Sequence, residues 1–398
     1  MKKLILPVLT VIGTWTTNIS NAQWQQTSLP SSSTVICFAV SGSNMYAGTK
    51  SNGIFLSTDN GNTWTAKNTG LTTTVNYVYA LAISGNNIFA GTSAYGVFLS
   101  TDNGNNWTPI NTGLTNKAVH TLAVSGSNIF AGTTGGGIFL STNNGNNWTA
   151  MNNGLTSTTV TSLTISGSNI FAGTTGGIFL STNNGGLWTQ ILSGKSINTI
   201  AISGSNIFAG TLNGVYLSTD NGNTWNWANG NLSQGVTTFA FSGTNVFAGL
   251  TDGYTPGSGG VFLSTNNGNT WTAVNTGLTN TMILELVING NYLFAGTQGA
   301  GAWKRLLSEI VGIEEHTVPS DYFSLYPNPA SAYFMIRNTN DAINLQSLSL
   351  TDILGNEILS AKIKDEETKV NIETLPKGVY FVQLTTDKGV SSLRLIKE

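Results

Sequence analysis

The sequence predicts an all-β protein: a seven-bladed β-propeller closed by its own N-terminal strand, followed by a small Ig-like β-sandwich. Three observations predict it. The phrase "FLSTDNGNTW" (Phe55–Trp64) returns five times in close variants, with its Trp at 107, 148, 188, 225 and 271. A second phrase, "SGSNIFAGT" and its variants, starts at Ser41, Ser84, Ser125, Ser166, Ser203, Ser242 and Asn289, which makes seven units. Charge is split sharply: residues 24–303 hold four Lys and five acids, whereas residues 304–398 hold ten basic and thirteen acidic side chains. A composition boundary near 304 follows.

The N-terminus comes first. Lys2 and Lys3 precede an apolar run from Leu4 to about Ile12, and Ser20-Asn21-Ala22 reads as a small-residue cleavage site. Residues 1–22 are therefore expected to be a signal peptide. The apolar run is too short to span a bilayer, and no later segment could, so the chain is not expected to be membrane-spanning. Cys37 is the single cysteine. It excludes an intrachain disulfide and reads as a small buried hydrophobe in "VICFAV".

Residues 23–303 form the propeller. Each unit reads as four short strands; in the third they are "TLAV", "NIFAG", "GIFLS" and "WTAM", joined by turn-rich links. Four strands in about 40 residues is the pattern of one blade. The seventh unit stops after its third strand, at "GAGAWKRLL". The segment "WQQTSLP" from Trp24 matches the register of "WTAKNTGL" from Trp64. The first residues are thus expected to supply the fourth strand of the last blade and remove two open sheet edges.

The S-x-D-x-G-x-x-W pattern resembles the Asp-box of bacterial-neuraminidase-repeat propellers. That superfamily includes sialidases, xyloglucanase-type glycosidases, sortilin-type receptors and photosystem assembly factors. The resemblance implies the fold and leaves function open. The box residues are Asp59 and Trp64, Asp102 and Trp107, Asn143 and Trp148, Asn183 and Trp188, Asp220 and Trp225, Asn266 and Trp271. Asp or Asn caps the turn between the third and fourth strands, and the Trp ring is expected to pack over that hairpin. Asn at half the boxes keeps a turn cap but forfeits carboxylate chemistry. The boxes are scaffold.

Residues 304–322 read as a linker and residues 323–398 as the second domain. "FSLYPNPAS" (Phe323–Ser331), "SLSLTDILGNEIL" (Ser347–Leu359) and "LPKGVYFVQL" (Leu375–Leu384) alternate as strands do. In kind and order they resemble the type A sorting domain of the type IX secretion system. That resemblance implies a partner, the outer-membrane translocon that recognises residues 323–398. It also implies cleavage in the linker and a product released or attached to the cell surface.

Candidate chemistry is sparse. Nucleic acid is disfavoured by a net charge of −2. Sialidases of this fold grip a carboxylate with three arginines, and residues 24–303 contain none. No metal or cofactor is expected, because neither His120 nor His316 has metal-ligand spacing around it. Setting the box acids aside leaves Asp252 and Glu285, which the topology places on adjacent blades. They are the candidate pair for a glycoside hydrolase. The face opposite the boxes also carries Tyr77, Tyr95, Tyr254, His120, Lys117 and Lys195. Tyr77, Tyr95, Tyr254 and His120 are the candidate ligand-binding residues, suited to stacking on sugar rings and bonding hydroxyls. The leading reading is a secreted or cell-surface glycan- or protein-binding module; a hydrolase and a passive scaffold are the alternatives.

Overall fold

The structure is a computed structural model. It describes residues 23–71, 77–251, 257–310, 322–340, 343–352, 357–363, 367–387 and 389–398. Two compact units divide at Ile310–Val311.

The first unit contains seven four-stranded antiparallel sheets. In the first, Val35–Ser41, Asn44–Thr49, Ile54–Ser57 and Thr65–Ala66 follow one another outward. Innermost strands of successive sheets pack side by side, and Ile283–Asn289 of the last returns to Val35–Ser41 of the first. The ring closes as the sequence predicts: Gln25 pairs with Lys304 and Gln26 with Trp303.

Alternation within each sheet explains the burial. In the second strands, Phe89, Phe130, Phe171, Phe208, Phe247 and Phe294 are all buried, as are the alanines that follow them. The first residue of every inner strand is a fully buried Val or Ile. Such rings and β-branched side chains fill the spaces between blades.

The boxes are turn caps, as expected. The Ser57 hydroxyl donates to Asp59 Oδ1 at 2.9 Å and accepts from Gly61 N–H at 2.8 Å. Thr63 N–H and Oγ1–H donate to the two Asp59 oxygens at 2.9 and 2.6 Å. These bonds stabilise the ionised form and pull the Asp59 pKa down to about 2. At Asn143, Oδ1 receives the same hydroxyl and N–H bonds at 3.0 Å. One acceptor oxygen is enough for the turn.

The box tryptophans do more than pack on their own turns, as Trp188 and Trp271 do beside Gly185 and Gly268. Several also wedge against the blade before. Trp107 is buried with Tyr46, Ile54 and Leu56 of the blade before it. Its indole N–H donates to Lys67 O of that blade at 2.9 Å. Trp148, Trp188 and Trp24 make equivalent bonds to Ile110, Met151 and Val274. A clasp completes the joint. Asn68 Oδ1 accepts from Ile54 N–H at 2.8 Å, and Thr69 O accepts from Trp107 N–H at 2.9 Å. Between them in the joint sits Gly70, at φ +88°, where a Cβ would stand 2.2 Å from Trp107 O. Only glycine fits there.

The linker boundary also moves. Ala302–Leu306 is the third strand of the last blade, and a one-turn helix follows at Leu307–Ile310. Lys304 and Arg305 are buried charges of the propeller. Lys304 Nζ donates to Asn60 O and Asn62 Oδ1 at 3.0 and 2.6 Å. Arg305 donates to Val274 O and Glu309 O. Charge density marked a boundary that lies several residues further on, because these charges serve the strand.

The second unit pairs Phe323–Tyr326, Tyr333–Asn338 and Glu367–Asn371 in one sheet. Glu357–Lys362, Leu345–Thr351, Gly378–Thr386 and Gly389–Lys397 form the other. Phe334, Ile336, Leu350, Val382, Leu384 and Leu395 are its fully buried core. Its motifs have structural work: Asn328 donates to Arg394 O and accepts from Ile396 N–H, fastening the last strand. Tyr380 Oη donates to Pro376 O.

Candidate functional site

Every inner strand carries the same irregularity. Pairing skips one residue between Val35 and Cys37, and likewise at the equivalent place in the other six sheets. A bulge leaves one residue unpaired and turns its side chain. The seven bulge residues are Ile36, Tyr79, His120, Thr161, Asn198, Thr237 and Leu284. All seven line one central cavity of about 600 Å³. The surrounding repeat is nearly constant, whereas this ring differs in every blade but two.

Half of the ring is polar and locks neighbouring blades. Thr161 Oγ1–H donates to Ile197 O at 2.6 Å, Asn198 Nδ2–H to Val236 O at 3.0 Å and Thr237 Oγ1–H to Ile283 O at 2.8 Å. The other half is apolar and aromatic. Tyr79 stacks on His120, with centroids 5.0 Å apart and planes 18° from parallel. Tyr77 lies 6.3 Å from Tyr79, and Lys50 Nζ sits 5.6 Å over the Tyr77 ring. Burial lowers the His120 pKa, so the imidazole is neutral near pH 7; a bond to Thr161 O opposes the shift.

Glu285 follows the bulge of the last blade. Its side chain reaches the cavity yet is ringed by protein atoms. Burial pushes its pKa up to about 8, against a hydrogen bond from Thr238. Near neutral pH the carboxyl is therefore mostly protonated. The Cys37 thiol also lines the cavity; burial first, and the Glu285 charge second, push its pKa up. It is a packed thiol whose Sγ–H points at Val78 O, 3.6 Å away. Among the described residues, Glu285 is the one acid in the cavity wall and no three His, Cys, Asp or Glu side chains gather as metal ligands.

Glu285 and His120 both line the cavity, while Tyr77 lies outside its wall with its ring 6.3 Å from that of Tyr79. The structure leaves Tyr95 on the Thr92–Gly96 turn, 38% exposed and off the cavity wall. Lys117 and Lys195 are exposed on blade links. Asp252 and Tyr254 lie outside the described residues. Tyr79 and Asn198 were missed. The signal was present in the repeat, because aligning the inner strands exposes the second position as variable within an otherwise constant frame.

Residues 324–398 match the secretion system C-terminal sorting domain, so the chain carries a type IX export address and is directed to the cell surface or beyond. No helix among the described residues is long and apolar enough to cross a membrane. Residues 16–281, about two thirds of the chain, match the family described as photosynthesis system II assembly factor YCF48. The chain belongs to this YCF48 family. A solved YCF48 propeller with a bound D1 peptide aligns at TM-score 0.58 and 16% identity, over 71% of this chain and 94% of that one. A GH74 xyloglucanase from Xanthomonas campestris aligns at TM-score 0.59 and 15% identity, over 79% of this chain and 59% of that one. Both likenesses speak for the propeller fold shared with YCF48. An endo-acting ulvan lyase from Formosa agariphila is 29% identical over 102 residues, which is 25% of this chain and only 19% of the lyase.

Proposed function

We propose that this exported propeller is a non-catalytic binding protein whose central cavity takes an uncharged, hydroxyl-rich glycan segment. The observation that carries the reading is the bulge ring, an aromatic arc at Tyr79 and His120 facing an arc of hydroxyls and amide at Thr161, Asn198 and Thr237. Rings offer a face for the apolar side of a sugar. Asn198 keeps its Oδ1 as an acceptor, and the protonated Glu285 offers a proton to a ligand oxygen. With His120 neutral and Glu285 protonated, the Lys50 ammonium is, among the described residues, the one charge in the cavity wall near pH 7. A neutral ligand is favoured over a cation. The D1 peptide on the related YCF48 propeller keeps a neutral peptide as the second kind of occupant.

The test is a screen of the purified full chain against cell-wall, plant and host glycans and a neutral peptide set, repeated with Tyr79→Ala. The reading requires a glycan ligand whose affinity drops in that variant. A screen in which no glycan that binds the parent loses affinity in Tyr79→Ala contradicts it.

The hydrolase reading keeps one supporting observation. A carboxyl with a pKa of about 8 suits a general acid. It needs a second carboxylate, for which Asp252 remains the candidate. Release of reducing ends from a polysaccharide, lost in both Glu285→Gln and Asp252→Asn, would establish it.

A further inference from the structure

The repeat serves as its own control, and one seam departs from it. The cross-strand pair between the third and outer strands is Phe55–Ala66, Phe98–Pro109, Phe139–Ala150, Phe179–Gln190 and Phe262–Ala273 in five blades. In the fifth blade it is Tyr216–Trp227. Trp227 is 51% exposed. The scaffold does not ask for an indole there, since the other blades close with Ala, Pro or Gln. Outer edges are ordinarily blunted with charge or proline, not with a bare aromatic.

Two further departures meet at the same seam. The fourth blade lacks the Asn–x–Gly–Leu clasp; its outer strand instead continues through Thr189–Ser193, pairing Leu192 with Ile178. The next box tryptophan, Trp225, therefore has no clasp to enter. Its indole N–H turns back to Gly222 O of its own box at 3.1 Å, and the ring stays half-buried. The shortened link also brings Lys195 over the Tyr216 ring, with Nζ 5.4 Å from the centroid. Lys195 pairs with no carboxylate among the described residues.

We propose that Tyr216, Trp227 and Lys195 form a second, surface carbohydrate site that holds a β-linked glucose-type pyranose. The two ring planes stand 76° apart with centroids 4.8 Å from each other, which makes a corner. A pyranose with equatorial hydroxyls has a flat C–H face that stacks on one ring while the other supports its edge. Lys195 adds ammonium donors for ring hydroxyls at the rim. Scale favours a sugar over a protein: half an indole exposes roughly 100 Å², against about 800 Å² per partner in a standard protein interface. None of the three residues lines the central cavity, so the two sites stand or fall separately.

The probe is cellohexaose, titrated calorimetrically into the full chain. Trp227→Ala is expected to weaken binding at least about tenfold, as removal of a central aromatic anchor does. Trp227→Phe keeps a ring and is expected to stay within about threefold, and Lys195→Ala to fall between the two. Trp227 is exposed, so unfolding midpoints should match the parent; should Trp227→Ala not fold, Lys195→Ala carries the test. Absence of cellohexaose binding by the parent chain overturns the proposal. So does equal affinity in Trp227→Ala. A parent dimer that Trp227→Ala turns into a monomer in sedimentation would assign the patch to a second copy of this chain and overturn it as well.

Discussion

Replacing Glu285 by Gln should make the propeller more stable at neutral pH and leave it unchanged in acid. Folding carries this carboxyl from an ordinary 4.5 to about 8. Each pH unit between those values costs the folded state about 1.4 kcal/mol, because only the unfolded chain releases the proton freely. Below pH 4.5 both states are protonated and there is no penalty. The penalty grows as pH rises, reaches about 3 kcal/mol at pH 7, and levels off above pH 8. Glu285 is only half-buried toward the cavity, so solvent screens part of this and about 1–3 kcal/mol is expected at pH 7. Gln keeps the shape and cannot ionise. Denaturant unfolding at pH 4, 5.5, 7 and 8.5 measures the difference. All tryptophans from residue 23 onward lie in the propeller and none in the sorting domain, so in a chain that begins at Gln23 indole fluorescence follows the relevant unit. A variant less stable than the parent at pH 7, or one whose advantage is equal at pH 4 and 7, would refute the desolvation argument.

Three further outcomes follow from the same geometry. Trp107→Ala should cost about 3–5 kcal/mol, the range for truncating a buried aromatic, whereas Asp102→Asn should be mild because Asn143 makes the same turn bonds; unfolding midpoints of the two variants check both. Deleting Trp24–Pro30 removes the strand on Trp303 and Lys304, bares two sheet edges and should lower the propeller's melting temperature far more than a surface change does; a shift of only a few degrees would count against closure by this strand. Deleting Ser347–Glu398 should leave a folded propeller in the periplasm, and fractionation finding it at the cell surface at normal levels would contradict the export role of the tail.

The repeat made much of this architecture legible. Seven marker phrases and a missing fourth strand specified both the units and the closure by Gln25–Gln26. The box was read as a turn because Asn replaces Asp, and the bonds at Asn143 agree. What stayed hidden depended on neighbours in space. Spacing along one blade does not reveal that Trp107 enters the blade before it. Two-residue alternation in "VYALAIS" does not mark Tyr79, because a bulge resets that period and aims it at the axis. Glu285 was visible as an isolated acid, but its raised pKa required its burial. Lys304 and Arg305 misled, because charge normally marks surface and here it ties a strand to the first box and the one-turn helix at Leu307–Ile310.

The central claim is that the ligand sits in the bulge ring and not on the outer turns. Comparing the affinity of one glycan hit for the parent, Tyr79→Ala and Tyr95→Ala, at 50 and 500 mM salt (about a tenfold range), tests it most directly. The account predicts a loss of about 1–3 kcal/mol in Tyr79→Ala, little change in Tyr95→Ala, and weak dependence on salt. A loss confined to Tyr95→Ala, or affinity that collapses at high salt, would contradict it.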